Sequence, residues 1–178
     1  MIILETSRLY LREINVEDAA IVYHLNLDNA VTQYTGDTAF PDINAARSFL
    51  KNYDHYTKYH FGRWAVIRKS DETFLGWCGL KYSEETNDID IGFRFFKEYW
   101  NNGYATESAI ACIQLGFDKF HMEYIVGRSR KENTASIKVL KKIGLQYWKD
   151  FDFDGFEGVV YKIERSDWIN NQYSYRLL

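Results

Sequence analysis

In residues 89–96 the apolar side chains of Ile89, Ile91, Phe93 and Phe95 recur at every second position, while Asp88, Asp90, Gly92 and Arg94 occupy the other face. That pattern is a strand. After a short turn carrying Gly103, a helix is expected over residues 104–117. A strand that runs through a tight turn into a helix lays that helix back on its own sheet, which restricts the chain to layered α/β architectures.

The flanking segments agree. Residues 8–14 alternate, with Leu9 and Leu11 on one side and Arg8, Tyr10 and Arg12 on the other. Asn15 is a helix N-cap, followed by Glu17 and Asp18, and predicts a helix over 16–27. Ile43, Ala46, Phe49, Leu50 and Tyr53 predict a second helix over 42–59. Strands are expected at 64–67 and 74–82, joined through the turn at 69–72. A short strand at 124–128 precedes a helix over 133–143 that Gly144 terminates. Strands 146–153 and 158–164 form a closing hairpin around Asp154-Gly155. Strand–helix–strand passages favour parallel neighbours and hairpins favour antiparallel ones. The expected fold is therefore a mixed, mostly antiparallel sheet of about seven strands, covered by helices, in which two strands splay where the parallel and antiparallel parts meet.

No Ser/Gly/Pro-rich linker interrupts the 178 residues, so one domain over 1–178 is expected. The formal net charge of −3 and the absence of a long basic run disfavour nucleic acid as a partner. No apolar run approaches the ~20 residues of a membrane helix, and the N-terminus does not read as a signal peptide. Cys78 and Cys112 sit among apolar neighbours and are expected as buried free thiols, which suits the cytoplasm. No Cys/His spacing suggests a metal. His55 and His60 lie in a Tyr-rich stretch over 52–61, expected as the exposed end of a helix, with a substrate wall as the other reading. The assembly is expected to be a monomer or a homodimer.

Residues 95–107 read Phe-Phe-Lys-Glu-Tyr-Trp-Asn-Asn-Gly-Tyr-Ala-Thr-Glu. The first amides of a helix have no internal partner and carry partial positive charge, so such a turn suits phosphate oxygens. Gly103 leaves room for an anion, Asn101 and Asn102 tolerate left-handed backbone angles, Ala105 is small, and Thr106 adds a hydroxyl donor. The run is neither a P-loop nor a dinucleotide fingerprint. From these residues alone, an ordinary turn before a helix remains the competing reading.

This run resembles the acyl-CoA-binding motif of the GNAT N-acetyltransferase superfamily, written Arg/Gln-x-x-Gly-x-Gly/Ala. It is more similar to ribosomal-protein alanine acetyltransferases, which often read Tyr-Trp-Gly-Lys-Gly-Tyr-Ala-Thr-Glu-Ala. Tyr99, Trp100, Gly103, Tyr104, Ala105, Thr106 and Glu107 match; Asn101, Asn102 and Ser108 depart. The departure at Asn102 removes a lysine near the pyrophosphate, and Lys97 and Arg94 are the candidates to replace it. Three further stretches fit in order: Thr6-Ser7-Arg8-Leu9-Tyr10-Leu11-Arg12, then Phe74-Leu75-Gly76-Trp77-Cys78-Gly79-Leu80, then Asn133-Thr134-Ala135-Ser136 with the helix to Leu145.

The resemblance implies a GNAT-like fold whose splayed strands hold acetyl-CoA, the co-substrate. It places the pyrophosphate at Asn101, Asn102, Gly103, Tyr104, Ala105 and Thr106, and the pantetheine along the backbone of Phe93, Arg94 and Phe95. Asn133, which also reads as an N-cap, and Ser136 form the second contact, with either Ser136 as proton donor to the leaving thiolate or the thiolate leaving unaided. Many relatives use a tyrosine four residues later, where this chain has Leu140. The acceptor is a primary amine, on a protein N-terminus or a small molecule. An alkylamine must lose a proton before it attacks. Asp90 is the first candidate for that base, and Asp150 and Asp152 are the runners-up. A non-catalytic acyl-CoA-binding module on the same fold is the alternative function.

Overall fold

The computed structural model describes residues 1–169. Eight strands form a single sheet in the order β1-β2-β3-β4-β5-β6-β8-β7. They are β1 (Ile2–Glu5), β2 (Leu9–Glu13), β3 (Arg63–Arg68), β4 (Thr73–Ser83), β5 (Asp88–Phe95), β6 (Tyr124–Arg130), β7 (Gln146–Phe153) and β8 (Phe156–Glu164). Every neighbouring pair is antiparallel except β5 and β6. The helices are α1 (Ala19–Leu27), α2 (Asn29–Thr32), α3 (Ile43–Lys51), α4 (His55–Lys58), α5 (Tyr104–Asp118) and α6 (Thr134–Lys142).

Helices cover both faces of the sheet. Ala19, Val22 and Leu50 from α1 and α3 pack on Ala65, Ile67 and Phe74. On the other face Cys112, Ile113 and Phe117 of α5 pack on Leu75, Cys78 and Leu80. The alternation along β2 and β3 decides which residues go where: Leu9 and Leu11 are fully buried under α5, whereas Tyr10 turns toward the α1–α3 layer. Cys78 and Cys112 are buried free thiols with their sulfurs 3.8 Å apart, and burial raises the Cys112 thiol.

Two expectations need correction and two elements are added. The sheet has eight strands rather than about seven, because residues 2–5 add an edge strand too short to show a period. The helix expected over 16–27 starts as a 3-10 turn at Val16–Asp18, capped by Asn15 and by the Asp18 side chain on the Asn15 amide, and only then becomes α1. Asn29–Thr32 forms a separate short helix that the sequence pattern did not suggest. The helix expected over 42–59 breaks into α3 and α4, since the amide of Asn52 turns back to the carbonyls of Ser48, Phe49 and Leu50.

Candidate active site

The cleft begins where β5 and β6 part. They share one register pair, Asp90 with Val126, and then diverge. The amide of Phe96 donates to Leu75 O at 3.1 Å, so by antiparallel alternation Phe93 and Phe95 turn their backbone groups away from β4 and into the gap. The Phe95 carbonyl is taken by the Trp100 indole at 2.9 Å. The Phe93 amide and carbonyl and the Phe95 amide are left facing the cleft. This space has a volume of about 1270 Å³, above the usual range for drug-sized ligands, and runs from the α5 N-terminus to the α1–α3 layer.

At one end lies the turn before α5. Asn101 and Gly103 are both left-handed, at φ 62° and 80°. An added Cβ at Gly103 would meet only Arg8 Nη2, at 3.5 Å, so glycine serves here for its backbone angle rather than for space. The Glu107 amide is the first to close on the helix, reaching Gly103 O at 3.0 Å; the amides of Tyr104, Ala105 and Thr106 stay open at the N-terminus of a 15-residue helix. Asn102 behaves differently from expectation. Its side chain donates to Tyr99 O at 3.2 Å and Trp100 O at 2.9 Å, bracing the turn, and it does not line the cleft.

Glu107 ties this turn to the start of β2. It accepts from Thr6 Oγ1 at 2.6 Å, from the Arg8 amide at 3.1 Å and from Arg8 Nε at 2.7 Å, while Arg8 Nη1 reaches Asn102 O at 3.1 Å. Burial pushes the Glu107 carboxyl up, but the Thr6 and Arg8 hydrogen bonds outweigh it and hold the group below its ordinary value.

On the α6 bank, Asn133 Oδ1 accepts from the Ser136 amide at 3.1 Å, so Asn133 is the N-cap. The Ser136 hydroxyl is half-buried, lines the cleft and has no hydrogen-bond partner among the described residues. Leu140 is buried and packs on Gly127, where an added Cβ would sit 2.4 Å from Leu140 Cδ2. An alanine at 127 would force the leucine side chain to shift.

The far end carries the charged groups. Asp90 Oδ2 pairs with Arg63 Nη2 at 2.6 Å, with the two side chains 18% and 15% exposed; Asp90 Oδ1 has no partner among the described residues. The Arg63 guanidinium lies flat over Gly92 and also donates to the carbonyls of Gly79 and Asp90. Its own peptide is clamped: the Arg63 amide donates to the Tyr53 hydroxyl at 2.8 Å, and the Tyr56 hydroxyl donates to Arg63 O. The Tyr-rich stretch is thus a wall of the cleft rather than the exposed end of a helix. Trp77 stands between Arg63 and Arg94, which lie 5.4 and 5.2 Å from its ring. Arg94 is bound to Asn26 and Asp37, so its side chain does not supply the charge missing from the phosphate turn. Lys97 does not line the cleft.

Asp150 is on the outside of the hairpin, hydrogen-bonded to Lys131 and Tyr147, each at 3.1 Å, and the Lys131 contact lowers its pKa. Asp152 lines the cleft but accepts from the Gly155 amide at 2.6 Å to build the turn. The cleft therefore gathers Asp90, Phe93, Arg94, Phe95, Asn101, Gly103, Tyr104, Ala105, Thr106, Asn133 and Ser136, and leaves out Asn102 and Asp150. Arg63, Trp77, Tyr53, Tyr56 and Asp37 were missed, because nothing in their local sequence marks them as neighbours of Asp90. Among the described residues no His/Cys/Asp/Glu group could hold a metal, and no helix is long and apolar enough to cross a membrane.

A family model described as an acetyltransferase (GNAT) domain matches residues 8–146. The "Uncharacterized N-acetyltransferase p20" of Bacillus licheniformis is 30% identical over 145 residues, covering 80% of this chain and 82% of the relative. YkkB of Bacillus subtilis (strain 168) is 32% identical over 151 residues, covering 82% and 86%. Among solved structures, a GNAT-family acetyltransferase from Bacillus anthracis superposes with a TM-score of 0.79 at 24% identity, covering 93% of this chain and 99% of its own.

Proposed function

The chain belongs to the GNAT acetyltransferase family and is an N-acetyltransferase, and from that premise we propose that it moves an acetyl group from acetyl-CoA to a primary amine by direct attack. The observation that carries this reading is the convergence on one cleft of open α5 amides, an unpaired β5 edge and an acid. The residues fit the co-substrate. The amides of Tyr104, Ala105 and Thr106, set by left-handed Asn101 and Gly103, would receive the pyrophosphate. The free backbone of Phe93 and Phe95 would pair with the pantetheine amides and polarise the thioester carbonyl.

Acetyl-CoA supplies an activated acyl carbon. Asp90 Oδ1 takes a proton from the ammonium form of the acceptor, freeing its lone pair. The N–C bond would form as the C–S bond breaks, and the Ser136 hydroxyl, free of other partners, would donate a proton to the departing thiolate and be reprotonated by the one the new amide nitrogen sheds. Arg63 holds Asp90 Oδ2 and thereby aims Oδ1. The acceptor is a protein N-terminus or a small amine, and the likeness of residues 99–107 to ribosomal-protein alanine acetyltransferases favours the former.

Calorimetric titration of acetyl-CoA tests the cofactor half. Micromolar binding, about −8 kcal/mol, is expected for the wild type, with loss of binding in Gly103→Glu, whose carboxylate opposes the pyrophosphate. Gly103→Asn, which tolerates the left-handed angle without a charge, controls for folding and should still bind. A folded wild type that gives no heat at several temperatures and does not compete with a CoA probe would overturn the proposal.

A further inference from the structure

We infer that Lys138 and Lys142 of α6 hold the 3′-phosphate at the adenosine end of the coenzyme, giving this chain a preference for the 3′-phosphorylated form. The inference rests on acetyl-CoA being the co-substrate. Its starting point is a deficit. The turn before α5 offers amides for the pyrophosphate, but its lysine, Lys97, does not line the cleft, and the 3′-phosphate monoester is a further strong anion.

The cations around the cleft can be accounted for one by one. Arg63 is paired with Asp90, Arg94 with Asp37, and Arg128 with Asp88. Arg8 is bound to Glu107 and the Asn102 carbonyl and does not line the cleft. Lys81 stands opposite Asp90 on β4, at the acceptor end. Lys138 and Lys142 remain. Both are exposed, both line the cleft from the α6 bank, and neither has an ion pair or hydrogen bond among the described residues. They are one helical turn apart, so their ammonium groups present side by side. Two like charges at that spacing repel in the empty protein, and a phosphate between them would relieve it. Lys141, between them in sequence, faces elsewhere: its ammonium lies 5.9 Å from the Tyr161 ring.

A bland role also exists for Lys142, since cations in the last turn favour a helix C-terminus. Lys141 shares that role and not the other, which makes it the control. The experiment titrates acetyl-CoA and its 3′-dephospho form into the wild type, Lys138→Glu/Lys142→Glu, Lys138→Arg/Lys142→Arg and Lys141→Glu, with circular dichroism on each. The wild type should prefer acetyl-CoA by about tenfold or more, as charge-assisted hydrogen bonds predict. The double glutamate variant should bring the two ligands within about twofold, while the double arginine variant and Lys141→Glu keep the preference. No preference in the wild type overturns the assignment. So does a preference that survives in the double glutamate variant, or equal weakening of both ligands, which would place the lysines at the pyrophosphate. If neither ligand binds a folded wild type, the co-substrate reading fails and takes this one with it.

Discussion

At the turn before α5 the groups that face the cleft are backbone amides, aimed by the left-handed angles of Asn101 and Gly103; around Asp90 they are side chains delivered by β3, β4, β5 and the segment after α3. The first arrangement is local. A few consecutive residues fix it, and Glu107 with Arg8 then staples it to β2. The second is assembled across distance: Tyr53 and Tyr56 clamp the Arg63 peptide, Arg63 holds Asp90, and Trp77 separates Arg63 from Arg94. A backbone site changes little when side chains are exchanged, whereas a side-chain relay fails at whichever link is removed. The proposed cofactor end should therefore tolerate most substitutions that respect its backbone angles, and the proposed acceptor end should be sensitive at each member.

The largest effect is expected at the relay's centre. Arg63→Ala leaves the Asp90 carboxylate partly buried without its cation and removes donors from the Gly79 and Asp90 carbonyls. Breaking a buried pair on one side costs about 3 kcal/mol, which a shift in the urea midpoint at unchanged slope would report. A loss below about 0.5 kcal/mol would show that Arg63 is an ordinary surface charge and would break the contrast between the two ends. Asp90→Asn comes next. It keeps the shape and part of the Arg63 contact but removes the proposed base, so turnover should drop about 100-fold while acetyl-CoA affinity holds. If affinity falls along with turnover, Asp90 belongs to the cofactor end after all.

Glu107→Gln probes the staple. Losing charge-assisted hydrogen bonds from Thr6 and Arg8 should cost about 1–2 kcal/mol at neutral pH. The folded-state pKa of Glu107 lies below its ordinary 4.5, so its contribution is present above 4.5 and disappears as pH falls through the depressed value. The stability gap between wild type and Glu107→Gln should therefore narrow on acidification below 4.5. A gap independent of pH would mean that the carboxylate charge contributes nothing there. Ser136→Ala is smaller still. A thiol near pKa 8.5 leaves readily even unprotonated, so turnover should fall only about fivefold. A fall of about 100-fold would make proton donation limiting.

The difference between the ends also governs what is legible in the sequence alone. The left-handed turn at Asn101 and Gly103 and the open amides of Tyr104 to Thr106 were legible because consecutive residues encode the turn. The long elements β5 and α5 were legible from their periods, and the parting of β5 and β6 followed from the change in strand connection. Arg63 and Trp77 were not, since one lies on β3 and the other on β4, and only the register that sets Arg63 against Gly79 and Trp77 against Arg94 brings them to Asp90. The direction of the Asn102 side chain was not legible for a related reason: an asparagine in a turn reads the same whether its side chain serves a ligand or its own backbone, and here it serves the carbonyls of Tyr99 and Trp100.

The smallest expected effect tests which carboxylate belongs to the relay at all. Asp150 and Asp90 look alike in sequence, as acids on strands that border the cleft. In the structure Asp150 is exposed, bound to Lys131 and Tyr147 on the outer side of the β7–β8 hairpin, and held in its ionised form by Lys131. A group so placed is screened by solvent and lies outside the lining of the cleft. Asp150→Asn should leave both turnover and the melting temperature within error, across the same pH range in which Asp90→Asn removes activity. Loss of turnover in Asp150→Asn with full activity in Asp90→Asn would move the base to the hairpin, and Arg63 would then be a purely structural cation beneath Gly92.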